Sequence, residues 1–151
     1  MERSQERILT THVGSLPREP LLRDLLVQHE RESSVALPGL EEAIENGVAQ
    51  VVSKQLDAGV DIGNNGEQPR VGFSTYVASR MSGFGGEGAR PASLDAQQFP
   101  DHAAMLSARL PHASMIAVTP QALSDVRYVD LDSAAAEYDQ FIRISDSLPT
   151  K

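Results

Sequence analysis

Apolar and polar residues recur along this chain with two different periods, and the switches between them mark out its elements. Leucines at 21, 22, 25 and 26 keep the three-to-four spacing of a helix with one apolar face, which predicts a helix over 19–30. A longer helix is predicted from Pro38 to Gly59. There Leu40, Ile44, Val48, Val51, Val52 and Leu56 form one stripe, and Glu41 and Glu42 occupy a first turn where the helix dipole favours acids. Gly59 stands where a C-terminal cap belongs. Further helices are predicted over 71–81, about 99–110 and from Asp132 to about Ile144, the last with Ala135, Tyr138, Phe141 and Ile142 on one side. Short β-branched runs read as strands: 8–13 (ILTTHV), 60–63, and 114–119 (SMIAVT). The stretch GFGGEG (83–88) reads as flexible, the surroundings of Pro91 as a loop, and about 145–151 as a polar tail.

The resulting order is β-α-α-β-α-α-β-α. Strands alternating with helices imply an α/β fold with parallel pairing through right-handed crossovers. No GxGxxG follows the first strand, so the dinucleotide fingerprint is missing. The wide spacing between strands suits a (β/α)8 TIM barrel with inserted helices, whose sites lie at the C-terminal ends of the strands. A complete barrel takes about 250 residues, and this chain has 151. The expectation is therefore a partial barrel, roughly the first three β/α units with extra helices, forming a single incomplete domain over 1–151. Such a piece leaves unpaired edges and under-covered apolar faces, expected at the stripe from Leu40 to Leu56 and at Ile62, Ile116 and Val118.

Charge and composition remove several classes. A net charge of −8 argues against a nucleic-acid partner. No apolar run approaches the roughly 18 residues of a membrane span, so no membrane partner is expected. The N-terminal MERSQER lacks the apolar segment of a secretory signal, and the cytoplasm is the expected compartment. The chain contains no cysteine, which excludes disulfides and thiolate-held metals, and its histidines (12, 29, 102 and 112) are scattered. No metal site and no catalytic residue are expected from this chain alone.

Three polar, glycine- or proline-bearing segments follow the predicted strands: His12-Val13-Gly14-Ser15, Asn64-Asn65-Gly66-Glu67 and Thr119-Pro120. In a parallel sheet they open on one face and wall one pocket.

The segments ILTTHVGSLPR and QLDAGVDIGNNGEQPRVGFSTYVASRMSGF resemble the cobalamin-independent methionine synthase family, its catalytic barrel and its shorter stand-alone homologues. The resemblance rests on a TTxxGSxPR loop after the first strand, a loop carrying Gly66, Glu67 and Arg70 after the second, and an FxxYxxxRxxGF helix beyond it. QQFPDHAAML is similar to the segment before the family's third strand, so most of 7–130 is covered. The resemblance implies methyl transfer from methyltetrahydrofolate to homocysteine or a related thiol amino acid, at a zinc ion that activates the thiol. It implies that Val13, Gly14 and Ser15 hold the substrate carboxylate and that Glu67 receives its ammonium group. Exposed N–H groups of a glycine turn suit an anion, and a carboxylate suits an amine. His12, Arg18, Asn65 and Arg70 are further pocket candidates. The family's zinc ligands, a His-x-Cys pair, an acid and another Cys, lie in later strands. The expectation is thus an N-terminal part, inactive in methyl transfer by itself, with a second chain completing the barrel. The alternative is a non-catalytic α/β binding or interaction module derived from such a barrel.

Each candidate also has a plainer reading. His12 is a structural hydrogen-bonding residue, and Glu67 in isolation is a turn carboxylate. Ser15 caps a turn, Asn64 and Asn65 shape one, and Arg18 and Arg70 either meet an anionic substrate or form salt bridges. Phe73, Tyr76 and Phe84 read as core. GFGGEG lacks the strand before it and the Lys-Ser/Thr after it that a phosphate loop needs.

Overall fold

A computed structural model describes residues 4–32, 36–88, 93–109 and 119–148. The elements in chain order are α1 (Pro20–Arg31), α2 (Leu40–Asp57), α3 (Phe73–Ser79), β1 (Met81–Gly88), α4 (Leu94–Gln98), α5 (Pro100–Arg109), β2 (Thr119–Tyr128) and α6 (Leu131–Ser147). They divide into two compact units, 1–73 with 130–151, and 74–129.

In the first unit α2 is the central element, packed on α1 and on α6. Pro20 in the first turn of α1 has the fixed φ a helix start requires. Beyond α2, Gly59 takes φ 75°; its N–H donates to Leu56 O at 3.1 Å, while the Val60 N–H donates to Gln55 O at 3.0 Å. These two reverse bonds are the Schellman closure that a glycine at this position permits. Val48, Val52 and Ile144 form a buried cluster, with Ile44, Ala49, Phe141 and Leu148 against it, and Leu22, Leu26 and Val27 are buried from α1.

The predicted stripe of α2 holds at Ile44, Val48, Val51 and Val52, whereas that of α6 is turned by one position. On α2 the buried face runs through Val48, Val51, Val52 and Gln55, while Leu56 is partly exposed. On α6 the inward face runs through Glu137, Phe141, Ile144 and Leu148, leaving Tyr138 and Ile142 outside. The expectation that the α2 stripe stays under-covered is overturned for Val48, Val51 and Val52, because α1 and α6 cover them. Ile62 does remain exposed, and Ile116 and Val118 lie outside the described residues.

The two predicted N-terminal strands shrink to a single parallel bridge, Thr11 to Ile62. Around it the backbone N–H groups of Asp61 and Ile62 both donate to Thr10 O, and Thr11 Oγ1 donates to Ile62 O at 2.7 Å. Arg7 and Thr10 add a second tie by binding the Asp61 carboxylate. Arg7 Nη1 donates to Oδ2 at 2.9 Å and the Thr10 N–H at 2.8 Å, and Arg7 Nη2 pairs with Oδ1. These donors, Arg7 first, hold the Asp61 pKa far below the usual carboxylate range.

In the second unit the stretch read as flexible is strand β1, antiparallel to β2, with Met81 opposite Tyr128 and Gly88 opposite Thr119. Glycine is needed there for contact, since at Gly83 (φ 89°) a Cβ would lie 2.5 Å from Asp125 O. The predicted strand 114–119 falls outside the described residues except Thr119, which opens β2. Thr119-Pro120 therefore lies within strand β2. Helix α4, absent from the sequence reading, is capped by Ser93 Oγ, which accepts from the Ala96 N–H at 3.3 Å. The Arg80 guanidinium stacks 4.3 Å from the Tyr76 ring centre, whereas Phe73, read as core, is exposed. The described residues make an α/β protein with a small two-stranded sheet. No described helix is long and apolar enough to cross a membrane.

Candidate functional site

The site is built where loop 12–18 meets loop 62–70, and the sequence NNGE shapes the second of these. Asn64 Oδ1 accepts from the Gly66 N–H at 2.9 Å, and Asn65 Oδ1 accepts from the Glu67 N–H at 3.0 Å, giving two consecutive Asx turns. They force Gly66 and Glu67 into the left-handed region, at φ 58° and 56°. For glutamate that conformation costs on the order of 1 kcal/mol, and such residues gather at ligand sites.

Two buried glutamines fix the loop from beneath. Gln55 Nε2 donates to Asn64 O at 2.7 Å while its Oε1 accepts from the Asn64 N–H at 3.1 Å, so one amide pairs both polar groups of that residue. Gln68 Nε2 donates to Leu16 O at 3.1 Å, and the Leu16 N–H donates to Gly66 O at 2.9 Å. Arg18 Nη2 donates to Glu67 O at 2.5 Å and to Arg70 O at 2.6 Å. Burial lowers the Arg18 pKa and the Glu67 charge raises it, but a guanidinium stays charged at any working pH. Asn64 Nδ2 reaches His12 O at 2.6 Å, and the His12 ring Nε2 lies 2.9 Å from Gly14 O.

These contacts bring Ser15 onto Glu67. Ser15 Oγ donates to Glu67 Oε2 at 2.5 Å, and Arg70 Nη2 pairs with Glu67 Oε1 at 3.0 Å. The Ser15 hydrogen bond, then Arg70, lowers the Glu67 pKa and keeps it a carboxylate at neutral pH. A carboxylate has about four acceptor sites, so Glu67 retains acceptor capacity beyond these two donors. Beside it the turn Val13-Gly14-Ser15 is exposed, with Gly14 at φ 94°. The backbone N–H groups of these three residues have no partner among the described residues. The arrangement sets three consecutive exposed donors next to an ionised, partly exposed acid, complementary to a small zwitterion.

All the loop candidates of the first unit thus come together: His12, Val13, Gly14, Ser15, Arg18, Asn65, Glu67 and Arg70. Arg18 is committed to backbone carbonyls and Arg70 to carboxylates. Gln55, Gln68 and Glu137 were missed. Gln55 sits at the 48, 51, 52, 55 spacing of an apolar face, a signal for a buried amide. Glu137 Oε1 accepts from Asn65 Nδ2 at 2.9 Å and lies 3.7 Å from Arg70 Nη1. Nothing local marks it in sequence. A separate cavity of about 330 Å³ lies between α2 and loop 12–18, walled by His12, Leu16, Pro17, Val51, Gln55 and Val60. Glu67 is not among its walls.

The methionine synthase of Sulfolobus acidocaldarius is 39% identical to this chain over 75 residues, 50% of this chain and 22% of that protein. Over half its length, this chain is similar to methionine synthases. That of Sulfurisphaera tokodaii is 33% identical over 75 residues, with the same shares. The 5-methyltetrahydropteroyltriglutamate–homocysteine methyltransferase of Corynebacterium glutamicum is 32% identical over 75 residues, 50% of this chain and 10% of that protein. The matched stretch spans about a fifth or less of these relatives. No family profile and no solved structure matches the chain. Zinc does not fit the residues in hand: the sequence has no thiolate, and no cluster of three or more His, Asp or Glu able to hold a metal occurs among the described residues.

Proposed function

We propose that this chain carries the amino-acid-binding loops of a methionine synthase-like methyltransferase and takes a thiol amino acid, L-homocysteine or a close relative. The substrate carboxylate lies on the N–H groups of Val13, Gly14 and Ser15, and its ammonium group binds Glu67. The observation that carries this reading is the ionised Glu67 held by Ser15 beside three backbone donors that have no partner among the described residues. Charge-assisted bonds at both ends select a free amino acid over an amine or an acid alone. In this proposal Ser15 and Arg70 hold Glu67 deprotonated, and Arg18 fixes the backbone on which it stands.

The parallel bridge between Thr11 and Ile62 supports the view that the loops follow the first two strands of a partial barrel. Methyltetrahydrofolate as methyl donor is supported by the name of the Corynebacterium glutamicum relative. In this proposal the metal-binding half of the barrel lies outside these 151 residues. The working compartment in this proposal is the cytoplasm.

Calorimetric titration of the full chain with L-homocysteine tests the reading. Saturable binding is expected, weakened about tenfold or more in Glu67→Gln, the scale of one lost charge-assisted hydrogen bond. The same mercapto acid without its amine should bind weakly to both proteins. Absence of saturable binding, or equal affinity in Glu67→Gln, would overturn it.

A further inference from the structure

We infer that Glu137 on α6 is a positioning residue for this site, orienting Arg70 and Asn65 so that Glu67 is presented to a bound amine. The inference rests on the reading of Glu67 as the ammonium receptor, and extends the site to a helix outside the two loops.

The geometry is specific. Asn65 uses both ends of its side-chain amide: Oδ1 accepts from the Glu67 N–H at 3.0 Å, and Nδ2 donates to Glu137 Oε1 at 2.9 Å. Arg70 likewise faces two acids, with Nη2 3.0 Å from Glu67 Oε1 and Nη1 3.7 Å from Glu137 Oε1. Glu137 thus touches the side chain that sets the Glu67 backbone and the one that neutralises the Glu67 carboxylate. Its own side chain is only 16% exposed, and that of Arg70 only 19%. Ion pairs this sheltered from solvent hold their geometry better than surface ones.

The placement follows from the turned face of α6. With Phe141, Ile144 and Leu148 directed at the core, the position one turn before Phe141 comes over the 65–70 loop, and that position is Glu137. An apolar residue there would leave the Asn65 amide without its acceptor and Arg70 without its second acid. Without that hold the arginine swings away from Glu67. Glu137 holds the guanidinium between two acids, and Glu67 stays charged yet open.

The groups facing Glu67 are Ser15 and Arg18 from loop 12–18 and Arg70 from its own loop, and Glu137 from α6 meets Arg70 behind them. Two variants separate positioning from charge. Glu137→Ala and Glu137→Gln remove the same charge, but only the glutamine keeps an acceptor for Asn65 and Arg70. NMR titration of the Glu67 carboxyl is the readout, and it needs no ligand. If Glu137 acts only through its charge, both variants lower the Glu67 pKa equally, because a nearby negative charge is lost. If it positions Arg70, alanine raises the Glu67 pKa toward the ordinary range as Arg70 leaves, while glutamine does not. Equal shifts in both variants, or none in either, would overturn the inference.

Binding provides a second arm. In alanine, L-homocysteine affinity is expected to fall about tenfold, with recovery in glutamine and no change for the mercapto acid lacking the amine. If the wild-type chain binds no amino acid, the substrate reading fails while the titration still decides the positioning role.

Discussion

Ser15 and Glu67, 52 residues apart, are joined by a 2.5 Å hydrogen bond from the serine hydroxyl to Oε2 of the carboxylate. The bond joins the two loops of the site and favours the charged form of Glu67, so one contact couples architecture to electrostatics. Removing the hydroxyl should affect both.

For Ser15→Ala the Glu67 pKa is expected to rise toward the ordinary value, since the largest cause of its lowering is gone. A folded-state pKa below the unfolded one contributes stability above the unfolded value, about 4.3, and that stability is lost as pH falls through the folded value. Wild type should therefore exceed the variant by about 1 kcal/mol near pH 7, and the gap should close below about pH 4. Urea unfolding across pH measures it.

Gln55 pairs both the N–H and the C=O of Asn64, and no apolar residue can do so. Gln55→Leu preserves volume but strands these groups at the root of the site loop. A loss of about 2 kcal/mol is expected, the cost of unsatisfied polar groups shielded from water. It would appear as a lower urea midpoint with an unchanged m-value.

Gly47 lies where α2 crosses α1. A Cβ there would sit 2.7 Å from Leu22 Cδ2 and 3.2 Å from Gln68 Oε1, and both partners are fully buried. Overpacking costs about 1–3 kcal/mol, against the roughly 1 kcal/mol that alanine gains over glycine in a helix. Gly47→Ala should therefore destabilise by about 1 kcal/mol. In a Leu22→Ala background the same change should become neutral or favourable, a coupling that a double-mutant cycle reads from unfolding curves.

Helices α1 and α2 were legible in the sequence because their periodicity and their punctuation agree: Pro20 opens α1, and Gly59 closes α2. The packed faces of α2 and α6 were less legible. A stripe drawn through the most apolar residues selects Leu56 and Tyr138, whereas the packed faces include Gln55 and Glu137, whose polar ends are matched by groups distant in sequence. Strand β1 was hidden for a related reason. A glycine-rich run has no side-chain alternation to read, and its pairing depends on the close approach of Asp125 O to Gly83. The loops of the site were visible as motifs, while the glutamines that support them became apparent only through their partners.

The paired Asx turns also bear on how long the chain stays chemically intact. An asparagine followed by glycine is prone to lose its side-chain amide when the next backbone nitrogen closes on its Cγ, forming a cyclic imide. At Asn65 that nitrogen belongs to Gly66 and is already bonded to Asn64 Oδ1, while both ends of the Asn65 amide are held by Glu67 and Glu137. Ring closure first requires the loop to open, so the folded site protects its own most fragile bond. Peptide mapping after prolonged warm incubation should find Asn65 intact in the native chain and converted in the urea-unfolded one. A fold that shapes a binding loop in this way also sets its rate of ageing.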